Sequence, residues 1–272
     1  MPTAASTGAK GRGGWLVRVL GFWGGYLGIL WLASLLKGLI PPAAADLVWG
    51  LLSSVALLGL TLLFLRTEGR CVQDVGLDPD RSTPMRFGIG LLVGLGFFAL
   101  QLMAARVIAG PFQIGLKGAI EPATVALAVA GTLALAAMEE LGFRGYALRT
   151  LMGGFGFWGG QAIVAVAFGL CHLLFGWSLS SIVLGVIPSA LVFGMAAVVS
   201  RGLAMPLGVH VGVNVAQSAM SGGSRWGVLE LTMEEPVRQR LEGAAPWSGV
   251  LVALLVVGLL WGVSRRALRS QR

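Results

Sequence analysis

The sequence predicts an all-α fold: a polytopic transmembrane helix bundle of about eight spans, with a polar cavity between the central helices. Three observations lead there. Of the 272 residues, 56% are hydrophobic and only 12% are charged, about half the charged share of an ordinary soluble domain. Apolar runs of 18 or more residues recur, each long enough to cross a hydrocarbon core. Within these runs polar and apolar residues do not alternate, so the backbone satisfies itself as helices and not as barrel strands.

The elements follow in order. Residues 1–14 read as a flexible cytoplasmic tail. The apolar run from Trp15 to Ile40 is longer than a signal peptide's ~7–15-residue core, so it is read as a retained first helix. The spans are expected near 15–36, 47–65, 87–107, 122–141, 158–176, 180–200, 204–220 and 247–264. They group as N-terminal transmembrane helices (15–119), a core (120–220), a polar loop (221–246), and a last helix with a basic tail (247–272). Gly88, Gly90, Gly94 and Gly96 mark an expected close helix seam, because small residues let membrane helices approach.

The net charge of +8 does not call for nucleic acid here, since Lys and Arg cluster in loops. With the N-terminus inside, 14 of the 20 Lys and Arg fall on the inner side and the other six (Lys37, Arg106, Lys117, Arg225, Arg238, Arg240) outside. That bias puts both termini in the cytoplasm, in a cell membrane of the bacterial inner-membrane kind. Cys71 and Cys171 lie in a polar loop and an apolar run and suggest no disulfide.

Charge inside a membrane is costly and needs a reason. All four Asp and six of the eight Glu fall in loops or at span ends; the exceptions are Glu139 and Glu140. His172 and His210, the only histidines, and Asn214, the only asparagine, also lie in apolar spans. Glu140 and Arg144 are four apart and can pair on one helix face. Glu139 points about 100° away and is free to act as a base. Phe168 and His172 share a face, as do His210 and Asn214. Read from spacing alone, these groups serve equally as a membrane-edge ion pair and an interhelical hydrogen-bond clasp.

In order, the residues spell E-E-x-x-x-R (Glu139, Glu140, Arg144), F-x-x-x-H (Phe168, His172) and H-x-x-x-N (His210, Asn214). Over roughly residues 120–220 the chain resembles the CPBP family of intramembrane proteases, which includes the type II CAAX prenyl endopeptidases and bacterial Abi proteins. The resemblance implies catalytic roles. Glu139 activates a water that His172 helps to hold, His210 and Asn214 stabilise the oxyanion, and Glu140, Arg144 and Phe168 support the site. It also leaves room for zinc, with Glu139, His172 and His210 as three ligands. The Asn214 amide suits an oxyanion better than zinc, which favours a metal-independent site with no cofactor. The implied substrate is a membrane-associated peptide or protein, cut near the cytoplasmic face. The alternative is a non-catalytic immunity or scaffold protein using the same cavity. A transporter finds no support, because no inverted repeat is apparent.

One conflict stands in this scheme. The expected spans put Glu139 and His210 in the cytoplasmic half and His172 ~21 Å along its own span toward the other side. They meet only if the glycine-rich stretch 153–160 breaks the helix, or if the fourth helix runs past Arg144.

Overall fold

The structure, a computed structural model, describes residues 12–118, 121–220 and 226–269. The expected tail through Gly11, together with Arg225 and Arg272, lies outside the described residues. The helices are α1 (Arg12–Lys37), α2 (Ala45–Glu68), α3 (Thr83–Ala109), α4 (Pro122–Glu140), α5 (Tyr146–Leu173), a single turn α6 (Leu179–Ser181), α7 (Ile187–Ser200), α8 (Ala204–Met220) and α9 (Glu235–Arg269). Two π-helical turns, Leu141–Gly145 and Ile182–Val186, join α4 to α5 and α6 to α7. Six helical stretches are long and apolar enough to cross a membrane. Their outward faces are apolar, as at Val55, Leu92 and Val107. The protein is an integral membrane protein.

One of the six stretches, Pro122–Leu173, has 52 residues and would reach ~78 Å if straight. It doubles back at Gly156, where φ is 74° and ψ 177°, a conformation open essentially to glycine alone. A Cβ on Gly160 would stand 2.8 Å from the Met152 backbone nitrogen, whereas residues eight apart in a straight helix are ~12 Å apart. The fourth span therefore runs through Arg144 to Phe155, past its expected end at 141, and the fifth is the return leg 157–173. Glu140 lies 16 residues before the turn and His172 lies 16 after it, which brings the two to one level. Phe143 and Phe168 confirm the register with ring centroids 5.0 Å apart. The depth conflict is thereby removed.

With the hairpin counted as two legs and the 17-residue α8 as one, the bundle has eight legs. Both ends of the described chain lie at the Gly156 end. There Trp15 packs on Gly153 and Gly154, Arg18 meets Glu68, and Trp261 of α9 packs on Phe157 and Trp158.

Helices α3 and α8 run parallel in close contact. A Cβ on Gly90 or Gly94 would come within 2.2 Å of the Met205 or Val209 carbonyl oxygen, and one on Gly208 within 2.2 Å of Phe87 O. The seam is thus Gly90 and Gly94 against Gly208 and Gly212; Gly88 and Gly96 face open space. The expected polar loop 221–246 is also revised. Strand β2 (Leu229–Thr232) pairs antiparallel with β1 (Gln113–Leu116), and α9 already begins at Glu235. Its polar first turns are held by Arg238 bonding Glu235 and Arg240 bonding the Ala109 carbonyl.

Candidate active site

The hairpin places Glu139, Glu140 and Arg144 opposite Phe168 and His172, and the glycine seam sets α8 against α3 so that His210 faces the hairpin. Glu140 is buried, and its Oε1 accepts from Arg144 Nη1 at 3.2 Å, the expected i,i+4 pair. Arg144 is fully buried and donates to the Ala190 carbonyl at 3.3 Å. Its guanidinium lies 4.3 Å from the Phe168 ring centre and 5.3 Å from that of Phe193. A buried ion pair is costly to desolvate, so every such contact matters to its retention. Trp23 of α1 donates to the Gly142 carbonyl at 3.2 Å, and the Tyr26 ring occupies the space that a Gly142 side chain would fill. The first helix therefore clamps the π-helical turn carrying Arg144.

His210 joins both acids. Its Nδ1 lies 2.8 Å from Glu140 Oε1, and its Nε2 lies 3.5 Å from Glu139 Oε2. Phe193 stacks on the imidazole at 4.4 Å with an interplanar angle of 18°. Glu139 is the more open acid, 21% exposed against 1% for Glu140, and points off the Arg144 face. His172 Nδ1 is bonded to the Phe168 carbonyl at 2.8 Å, which leaves Nε2 available. Asn214 follows His210 by one turn.

Glu139, Phe168, His172, His210 and Asn214 all line one cavity of about 1390 Å³. Its outer wall is made by 38–46, Phe175, Trp177, Trp226 and Leu241, and no lining residue comes from the Gly156 end. The cavity therefore opens at the end opposite both helix termini. His210 is six residues into α8, ~9 Å from the Gly156 end of that helix. The site is deep on that side yet reached from the other.

The structure brings all seven expected residues to the one site. Among the described residues no group of three His, Cys, Asp or Glu side chains is placed to hold a metal ion. The sequence reading missed Phe193, one of 12 Phe in a span without polar punctuation, and nothing in its pattern marked it. It also missed the clamp by α1, a span it treated as peripheral to the core. Gly208 and Gly212, interleaved with His210 and Asn214, carried a readable small-x-x-x-small signal.

Compared with known proteins, residues 121–216 match the family model described as Type II CAAX prenyl endopeptidase Rce1-like. No curated protein matches the chain.

Proposed function

We propose that the chain is an intramembrane endopeptidase of the CPBP/CAAX kind, that the cavity is its active site and that catalysis is by a glutamate-activated water; the likeness of residues 121–216 to the Type II CAAX prenyl endopeptidase Rce1-like model supports this reading. The observation that carries this reading is the His210 imidazole between two acids of unequal exposure, on the floor of a cavity shared with His172 and Asn214.

Glu139, exposed to the cavity, takes a proton from water, and the resulting hydroxide forms the new bond to the scissile carbonyl carbon. His172, with Nδ1 committed to the Phe168 carbonyl, offers Nε2 to orient that water. The carbonyl electron pair moves onto oxygen. The oxyanion is met by the Asn214 amide and by the His210 imidazole, whose Nδ1 is held 2.8 Å from Glu140 Oε1. As the tetrahedral intermediate collapses, the C–N bond breaks and the proton held by Glu139 passes to the departing nitrogen. Glu140 and Arg144 touch no substrate; they hold His210 in place. The substrate is a membrane-associated peptide or protein segment. The mechanism is metal-independent, since the Asn214 amide and the two-acid environment of His210 suit proton transfer and oxyanion binding.

The test is Glu139→Gln, assayed by membrane-proteome cleavage products against the native chain. Gln keeps the shape and removes the base, so cleavage is expected to fall at least ~10²–10⁴-fold with the melting temperature unchanged. Full activity in a folded Glu139→Gln protein would leave the cavity as a binding site, as in an immunity or scaffold protein.

A further inference from the structure

We infer that the cavity receives its substrate from the non-cytoplasmic side of the membrane, so that the peptides it takes are translocated, membrane-tethered segments. The orientation stands on the fold alone; the word substrate rests on the endopeptidase reading above.

The two ends of the bundle differ in charge. Among the described residues the Gly156 end (12–18, 66–86, 149, 201 and 265–269) carries eleven Lys and Arg against four acids. The cavity end (37–46, 106–121 and 230–242) carries five Lys and Arg against six acids. Lys and Arg in short cytoplasmic segments and at the adjoining helix ends are retained there, and the connections 69–82 and 201–203 and the helical turn at Gly156 are all short. The Gly156 end is then cytoplasmic, and the cavity opens on the opposite face.

The rim agrees with that placement. It is built from Pro42, Ala43, Phe175, Trp177 and Trp226, with Asp46 the one charged residue among the outer lining. Aromatic side chains of this kind favour a membrane–water interface. An apolar mouth suits a chain segment leaving the bilayer, and among the described lining residues there is no basic cluster to hold the anionic headgroups of an inner leaflet. The β1–β2 ribbon stands at the same end. The cleaved bond would lie deep, ~9 Å from the cytoplasmic end of α8, with the substrate threaded in from outside.

The native cysteines supply half of the test. Cys71 is exposed in the loop at the Gly156 end; in a Cys171→Ser protein it reports that end. Ala43→Cys, in a chain with both native cysteines replaced by Ser, reports the rim. A membrane-impermeant maleimide is applied to intact cells with a permeabilised outer envelope and to inverted vesicles. The rim cysteine is expected to label at least tenfold faster in cells than in inverted vesicles, and Cys71 the reverse. The opposite pattern, or both reporters on one side, overturns the inference. In proteoliposomes, cleavage of a water-soluble quenched peptide added outside should scale with the share of molecules whose Cys71 is protected. Scaling with the share whose Cys71 is exposed overturns it as well. If no Glu139-dependent cleavage occurs in either orientation, the endopeptidase reading fails, while the labelling still decides which way the cavity opens.

Discussion

At the scale of residues, the site works by giving near-identical groups different surroundings. Glu139 and Glu140 are adjacent, yet one faces the cavity and the other is sealed between Arg144 and His210. Removing one partner of a sealed pair leaves a bare charge behind, which typically costs ~3–5 kcal/mol. Arg144→Ala is therefore expected to lower the melting temperature in detergent markedly, and an unchanged melting curve would remove its bracing role. Asn214 is different in kind. It lines the cavity, and as the proposed oxyanion donor its loss in Asn214→Ala should lower kcat by ~10²–10³ with little change in KM or stability; a change confined to KM would make it a binding residue. These polar residues were legible because the chain uses His and Asn nowhere else and keeps its other acids out of apolar spans. Phe193 was not legible. Its contact with His210 depends on how α7 lies beside α8, and a phenylalanine in an apolar span is chemically unremarked until that packing is known.

At the scale of elements, two glycine devices fix the geometry. The turn at Gly156 returns the chain on itself, and the α3–α8 seam sets the height and rotation of His210. The seam gives a contrast within one helix. An alanine methyl at Gly94 would meet the Val209 carbonyl oxygen at 2.2 Å, while at Gly96 it would meet nothing within 4 Å. Gly94→Ala should push α8 outward and reduce both thermal stability and cleavage; Gly96→Ala should leave both near native values. Equal effects from the two, measured by melting and turnover on the same preparations, would show that the seam does not position the site. The sequence revealed that glycines gather in α3 but not which face they occupy. On a helix apolar all round, no polar stripe distinguishes the lipid side from the protein side. The hairpin was legible as a possibility, since the glycine run at 153–160 invited a break. The true position of the turn depends on which glycine takes a positive φ, and that is set by the Met152–Gly160 contact and not by composition.

At the scale of the whole molecule, the buried core divides into two clusters. One is built from α1, α2, the hairpin and part of α7. The other is built from α3, α8, α9 and the opposite face of α7. The number of legs could be read from hydropathy, because each leg must satisfy its own backbone in lipid. Which legs adjoin could not, since parallel neighbours such as α3 and α8 are far apart in the chain and meet through backbone shape. The proposed active site lies across the division: Glu139, Glu140, Arg144 and His172 come with the first cluster, His210 and Asn214 with the second. His210 bridges it, with Nδ1 2.8 Å from Glu140 and Nε2 3.5 Å from Glu139. Two outcomes follow for what holds the halves in register. His210→Ala removes that link and leaves the Glu140–Arg144 pair without its third member, so it should lower the melting temperature in detergent by more than Asn214→Ala does. If a bound metal made the link instead, exhaustive chelation would reproduce the His210→Ala loss in both melting temperature and turnover, and added zinc would restore them. The proposed proton-transfer site requires the other result: after chelation, with metal content measured on the same sample, the melting temperature and the cleavage rate both stay at their starting values.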